Sequence, residues 1–398
     1  MEVWFIEWLK AFGRLFIQPL FYWPFIVLVC VSLARIRKER NQFGTKIFDI
    51  FSEQRGTKRI AFSTGIVLSL LAVGAGVVFP YPLILLISAV TILLSLTLSF
   101  TWLSAVYTLG ISYLILLFGP PFINVELPAQ WRILLDTPPL TVLACLIGLL
   151  LLVEGLQLLR LRSNETYPEL VQGSRGKRIG QHRLKKLSIL PFFALLPGES
   201  LQAFASWWPV FPLGQERYGL ILIPLVTGFD WMVNGQKPIV ASKRIGRRLF
   251  MIALVTISLA AASYWIIWLS FAAVLIAIAG REWVSFSHRL HEKHQPYFAP
   301  SNQGLPILAV IPGSPADDMG VQVGEKVEVV NGLRITSEEG FYYALQKNLA
   351  YCKMEVRDER GEMRFVQRAM YEGAHHELGL LFVKPQERRA YLEAQRSL

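Results

Sequence analysis

Charge is scarce in this chain: 17% of its 398 residues are charged and 53% are hydrophobic, a balance unlike that of a soluble protein of this length. Cysteine is scarcer still. Cys30, Cys145 and Cys352 lie far apart, two of them inside apolar runs, which argues against a disulfide framework or a cysteine-ligated zinc. Familiar catalytic signatures are also missing. No G-x-S-x-G elbow occurs, since Pro197-Gly198-Glu199-Ser200 lacks the second glycine, and neither a P-loop nor a G-x-G-x-x-G fingerprint is present. In His291-Glu292-Lys293-His294 the histidines are three apart, whereas H-E-x-x-H needs four to place both imidazoles on one helical face. His288 extends that spacing, but a solvated helix is the plainer reading, and His375-His376 is no stronger. No catalytic residue, cofactor or metal is expected. The first apolar run, residues 20–34, is followed by charges rather than a cleavage site, so it is expected to stay in place.

What the chain does have is long apolar runs, and they are segregated. They fill residues 20–280 and nearly vanish after Arg281. The +11 net charge divides the same way: residues 1–280 hold 25 Lys/Arg against 13 Asp/Glu, and residues 281–398 hold 15 against 16. The excess cation is thus a membrane-topology signal. A soluble part without net charge offers no basic patch for nucleic acid.

Three basic clusters set the expected topology. The first runs from Arg35 to Arg59, the second from Arg160 to Lys186, and the third from Lys237 to Arg248; the positive-inside rule puts all three on the cytoplasmic side. Residues 60–79, 83–98, 101–118 and 139–159 then read as four spans. The loop 119–138, with only Arg132, reads as external. Residues 187–208 and 218–234 read as two further spans. The 31-residue run 249–279 would be about 46 Å long as one helix, against a core of about 30 Å, and reads as a tight hairpin rather than one tilted span. The expectation is a polytopic α-helical membrane domain of about 7 to 9 spans over residues 1–280.

At the N-terminus Glu7, Lys10 and Arg14 share one helical face among Trp4, Phe5, Trp8, Leu9, Phe12 and Leu15. This suits an interfacial helix, with an extension of the first span as the alternative. Ionisable residues in spans are candidate sites by default. Glu154 is expected near a cytoplasmic end, within reach of Arg160. Glu199 follows the helix-breaking Pro197-Gly198, a discontinuity that lines a site in some transporters, although a cap facing water is the plainer reading. Asp230 is the third.

Past a juxtamembrane linker, 281–300, the composition becomes that of a small α/β domain over 301–385, followed by a tail, 386–398. Residues 305–310 read as a strand leading into Pro312-Gly313-Ser314-Pro315-Ala316. Residues 316–319 make a helical turn, and the strand 327–330 ends in an Asn331-Gly332 turn. Ser337 fits an N-cap, followed by Glu338 and Glu339, for a helix running to about 349. Strands 353–357 and 362–367 meet at Gly361.

This order resembles a bacterial PDZ domain with one strand permuted to its end, with Glu325 where that family usually has Asp. The resemblance implies a carboxylate-binding loop in Glu377-Leu378-Gly379-Leu380-Leu381-Phe382. A peptide would add as a strand beside residues 380–383, with Leu378, Gly379, Leu380 and Leu381 on one wall of the groove and Phe341, Tyr342, Leu345 and Gln346 on the other.

Taken whole, the chain resembles the MinJ family of polytopic division-site proteins. The resemblance rests on the opening from Pro19 to Tyr22, the charge run from Arg35 to Arg40, Ser95-Leu96-Thr97-Leu98 followed by Trp102-Leu103-Ser104, and the terminal domain. It implies a scaffold without enzymatic activity in the bacterial cell membrane, at septum and poles, with its PDZ domain cytoplasmic. The implied partners are DivIVA-like and MinD-like proteins and membrane lipid, with homo-oligomers open and nucleic acid excluded. The alternative is a transporter or channel-like protein regulated by its PDZ domain.

Overall fold

The computed structural model describes residues 2–122, 128–173, 178–210, 217–292, 296–299, 304–348, 351–358, 361–369 and 378–383. The chain opens with helix α1 (Glu2–Leu15), then α2 (Pro19–Phe43), α3 (Lys58–Ala75), α4 (Tyr81–Ser95), α5 (Ala105–Phe118), a short α6 (Ala129–Asp136) and α7 (Leu140–Leu159). Strands β1 (Tyr167–Gln172), β2 (Arg178–Gln202) and β3 (Arg217–Val233) follow, then helices α8 (Pro238–Ala262) and α9 (Trp268–His291). Among the described residues α2, α3, α7, α8 and α9 are long and apolar enough to cross a membrane, while α4 and α5 are apolar but shorter.

The two spans expected at 187–208 and 218–234 are strands instead. β2 and β3 form one long antiparallel hairpin, with Pro191 opposite Pro224, and β1 pairs with the start of β2. A proline inside a helix removes a hydrogen bond and clashes with the preceding turn. A strand covered on both faces has the same unbroken hydropathy as a buried helix, and β3 is buried along almost its whole length.

A strand edge at apolar depth must have its peptide groups met by other donors and acceptors. Helix α3 covers β2: Gly65 lets the backbones approach, a Cβ there falling 2.6 Å from the Pro191 carbonyl oxygen. The Ser69 hydroxyl accepts from the Phe193 amide at 2.9 Å. On the β3 side, Arg14 donates to the Leu220 carbonyl (2.6 Å) and Gln18 to that of Leu222 (2.8 Å).

Those contacts explain the inverted amphipathicity of α1. It is a helix separate from α2, and its charged face turns inward: Glu7 is buried and bonds Lys10 (2.8 Å) and Arg14 (3.2 Å). Phe5, Trp8, Leu9 and Phe12 are exposed on the outer face.

The 31-residue run divides into α8 and α9, joined by a turn at residues 263–267. Neither is short, because α8 begins among the basic residues before the run and α9 continues through Arg281 to His291, past the boundary expected at 280. The turn and its flank expose Tyr264, Trp265, Ile266, Ile267 and Trp268. Glu154 does not reach Arg160. It lies buried on α7, bonded to the wholly buried Arg281 of α9 (3.2 Å) and to the Ser104 hydroxyl (2.5 Å). Arg281 also donates to the Tyr107 hydroxyl (3.0 Å), which in turn donates to Glu282, and its guanidinium lies over the rings of Tyr107 and Trp231.

The C-terminal domain comprises β4 (Leu305–Val310), α10 (Pro315–Asp318), β5 (Lys326–Val330), β6 (Leu333–Arg334), α11 (Glu338–Gln346), β7 (Tyr351–Arg357), β8 (Met363–Ala369) and β9 (Leu380–Phe382). Its sheet runs β8-β7-β5-β4-β9, with β6 on β5. The expected strands and caps are largely present. Ser337 accepts from the Gly340 amide at 3.1 Å, and Glu325 accepts from the Gln322 amide and from Arg364, each at 2.8 Å, so the longer side chain keeps the turn. α11 ends at Gln346, short of the expected 349. The 386–398 tail, Glu377, His375-His376 and His294 lie outside the described residues.

This domain is docked on the rest of the chain. The Gly180 amide donates to the Phe298 carbonyl (2.9 Å), Ser163 donates to that of Val323 (3.2 Å), and Asn164 both donates to Val321 (3.1 Å) and accepts from the Val323 amide (3.2 Å).

His182 is buried in this seam, against the Phe298 ring (centroids 4.9 Å apart) and 2.9 Å from the Thr166 hydroxyl. Burial, opposed by the Leu308 backbone, pushes its pKa down to about 3. A depressed histidine contributes stability that is present above its unfolded pKa of about 6.5 and is lost as pH falls toward the folded value. Lowering pH from 7 to 5 should therefore weaken docking by up to about 2 kcal/mol. Hydrogen exchange of the β1–β2 amides reads this, and His182→Gln should flatten the dependence; an unchanged slope would remove His182 as its source.

Candidate functional site

The residues expected to form a groove come from α11, in the middle of the C-terminal domain, and from β9 and the residues before it, at its end. β9 lies at one end of the sheet and pairs only with β4, so among the described residues its outer edge carries no strand. Gly379, just before it, has φ +84°, a left-handed conformation favourable to glycine alone. A Cβ at Gly379 would overlap the Ser314 side chain. The carbonyls of Leu378 and Gly379 are engaged, accepting from the amides of Ala316 (3.0 Å) and Ile311 (2.8 Å). Among the described residues the amides of Leu378 and Gly379 donate to nothing.

Besides Gly379, the seven other expected residues divide by burial. Leu378, Leu380, Phe341 and Leu345 belong to the domain core, where Phe341 and Phe382 meet edge to face at 5.0 Å. Leu381 points to the opposite side and packs beside Ile47, Phe48 and Tyr167. Tyr342 is half-buried and Gln346 exposed on α11. The resemblance to a PDZ domain marked all eight. What separates wall from core is the alternation along β9 and the register of α11, which fixes Phe341, Ala344 and Leu345 inward.

Leu381 thus connects the domain to the segment after α2, a contact the sequence did not suggest. That segment is fastened to α2: Arg35 bonds Glu39 (2.6 Å) and Glu53 (2.8 Å), and the Glu39 carboxylate accepts from the Ile47 amide (2.8 Å). The Arg35 guanidinium, in the charge run that marked the end of the first span, lies 5.0 Å from the Tyr167 ring.

The ionisable residues singled out by sequence are committed elsewhere. Glu199 sits at a bulge in β2 and bonds Arg14 (2.6 Å), so it fastens α1 rather than lining a break between half-helices. Asp230 holds Arg183 through both carboxylate oxygens, at 3.0 and 2.7 Å, across the β2–β3 pair. His288 bonds the Met232 carbonyl (2.7 Å) and His291 that of Ser287 (2.7 Å). Of the spacing-three histidines, His288 and His291 are thus each committed to a different backbone carbonyl.

No family model matches the chain. It is 36% identical over 389 residues to the cell division topological determinant MinJ of Bacillus subtilis (strain 168), covering 96% of each chain. It is also 36% identical over 81 residues to the probable cell division topological determinant MinJ of Lacticaseibacillus paracasei, covering 20% of this chain and 22% of that one. Both names describe a topological determinant and not a catalyst. With the Bacillus match running through the apolar helices, the strand hairpin and the terminal domain alike, the chain belongs to the MinJ family of cell division topological determinants.

Proposed function

We propose that the chain is a membrane-anchored scaffold whose C-terminal domain is of the PDZ type and holds an extended peptide between β9 and α11. The observation that carries this reading is the outer edge of β9 beside α11, open among the described residues and preceded by the amides of Leu378 and Gly379, which have no partner among them. Adjacent free amides at a positive-φ glycine make a nest for a carboxylate, and an open edge accepts a main chain as a further strand.

Multi-pass insertion with this domain in the cytoplasm follows from charge. Arg55 of the first basic cluster and Arg162 of the second line a cleft with Pro312 and Gly313, and Lys237 of the third lies against Gly324. All three clusters therefore adjoin the C-terminal domain, and cations mark the cytoplasmic side. A cytoplasmic groove at the membrane suits the bridging of a DivIVA-like polar protein to a MinD-like ATPase at the division septum and poles.

The test uses bulk at a position that does not support the core. Gln346→Trp, on the exposed end of α11, should weaken partner recruitment at least tenfold, while Phe365→Ala, exposed on β8, leaves it unchanged. Co-purification of division proteins and their localisation in cells are the readouts. Normal recruitment and midcell division with Gln346→Trp would defeat peptide capture as the function.

A further inference from the structure

A second site lies away from the β9 edge. A cleft of about 850 Å³ opens between the segment before α3 and the end of α7. Arg55, Lys58, Arg59, Arg160 and Arg162 line it, all exposed, and among the described residues none of the five side chains is held in a hydrogen bond or salt bridge, Arg55 meeting Asp49 only through space. Elsewhere this chain pairs its cations closely, as Arg14, Arg35, Arg183, Arg281, Arg357 and Arg364 show. Only two carboxylates reach the cleft, Asp49 and Glu165, and Asp49 is already held by Lys46 at 2.6 Å. Five cations against two carboxylates leave the cleft with excess positive charge, and a phosphate relieves that repulsion while accepting guanidinium hydrogen bonds.

The apolar surroundings identify the source of the phosphate. Ile50 and Phe51 stand exposed at the rim, Phe51 with φ +72°, a left-handed backbone uncommon for an aromatic residue. From the cleft the outer face of α3 continues as Phe62, Ile66, Val67, Leu70 and Leu71, all exposed. Charge at one end and a track at the other that is apolar but for Ser63 match a headgroup with its acyl chain. A soluble phosphate would use only the first.

We propose that this cleft binds the phosphate headgroup of an anionic phospholipid, with an acyl chain lying along α3.

The full chain, purified in neutral detergent, is titrated with phosphatidylglycerol, phosphatidylcholine or glycerol 3-phosphate while its melting temperature is followed. Phosphatidylglycerol should raise the melting temperature saturably, phosphatidylcholine should not, and glycerol 3-phosphate should need at least tenfold higher concentration. The triple variant Arg59→Gln, Arg160→Gln, Arg162→Gln should shift the phosphatidylglycerol midpoint at least tenfold. A control triple, Lys243→Gln, Arg247→Gln, Arg289→Gln, removes equal charge elsewhere and should shift it less than twofold. If the cleft triple does not fold, Arg162→Gln alone should still shift the midpoint about threefold. Equal loss in the control triple, equal binding of phosphatidylcholine, or glycerol 3-phosphate binding as tightly as the lipid would each overturn the assignment.

Discussion

Glu154→Ala should be among the most damaging single substitutions in the chain, costing about 3–5 kcal/mol, because it leaves the Arg281 guanidinium buried without its counter-charge. Both partners are essentially inaccessible, and the Arg281 Nε already lacks an acceptor, so little is available to compensate. The pair joins α7 to α9, and Ser104 and Tyr107 bring in α5. The loss should therefore appear as separation of helices rather than a local defect. Melting temperature in detergent and steady-state abundance in membranes are the measurements. Replacing both partners, Glu154→Leu with Arg281→Met, should recover most of the loss, since an apolar pair of similar volume commonly does as well as a buried ion pair. A single variant that melts within about 1 kcal/mol of the parent would show that water reaches the pair.

The second large effect is expected at Gly379. An L-residue at φ +84° costs about 1–2 kcal/mol, and a Cβ overlapping Ser314 adds about 1–3 kcal/mol of overpacking. Ser314 caps α10 through the Asp317 amide, so displacing it also loosens the turn that receives the Leu378 carbonyl. Gly379→Ala should thus destabilise the C-terminal domain by about 2–5 kcal/mol, read as accelerated proteolysis of residues 304–383 in the full chain. Ser314→Gly should restore the steric part but not the backbone part. If Gly379→Ala is silent, the close approach of the two segments is wrong. For the same reason a bulky residue at Gly379 is a poor means of blocking the groove, because it would unfold the groove's own support.

Much of the architecture was legible because it rests on local rules. The terminal domain announced itself through Ser337, Asn331-Gly332 and the Pro312 to Ala316 turn, whose conformations depend on neighbours in sequence. The β2–β3 hairpin was not legible in the same way. Positive-inside reasoning asks only that the chain return to the side it left, and a hairpin of strands satisfies that as well as two spans do. What speaks against helix is the chemistry of single residues: Pro191, Pro197 and Pro224 fall where two helices would be interrupted, and Pro191 pairs with Pro224 across the hairpin. Nor could spacing reveal the Glu154–Arg281 pair, because its members are 127 residues apart. At the candidate groove, the resemblance pointed to whole segments but could not divide Leu380 and Phe382, which face the core, from Leu381, which faces Tyr167.

The seam formed by Gly180, Phe298, Ser163 and Asn164 makes the terminal domain a bracket rather than a tethered flag. A flexible leash would let a captured protein sweep a hemisphere, with a local concentration that falls as the leash lengthens. A bracket instead fixes height and azimuth. If the domain captures a peptide in a membrane-inserted chain, as proposed, the partner is presented at one distance from the helices and in one orientation, and diffuses with them in two dimensions.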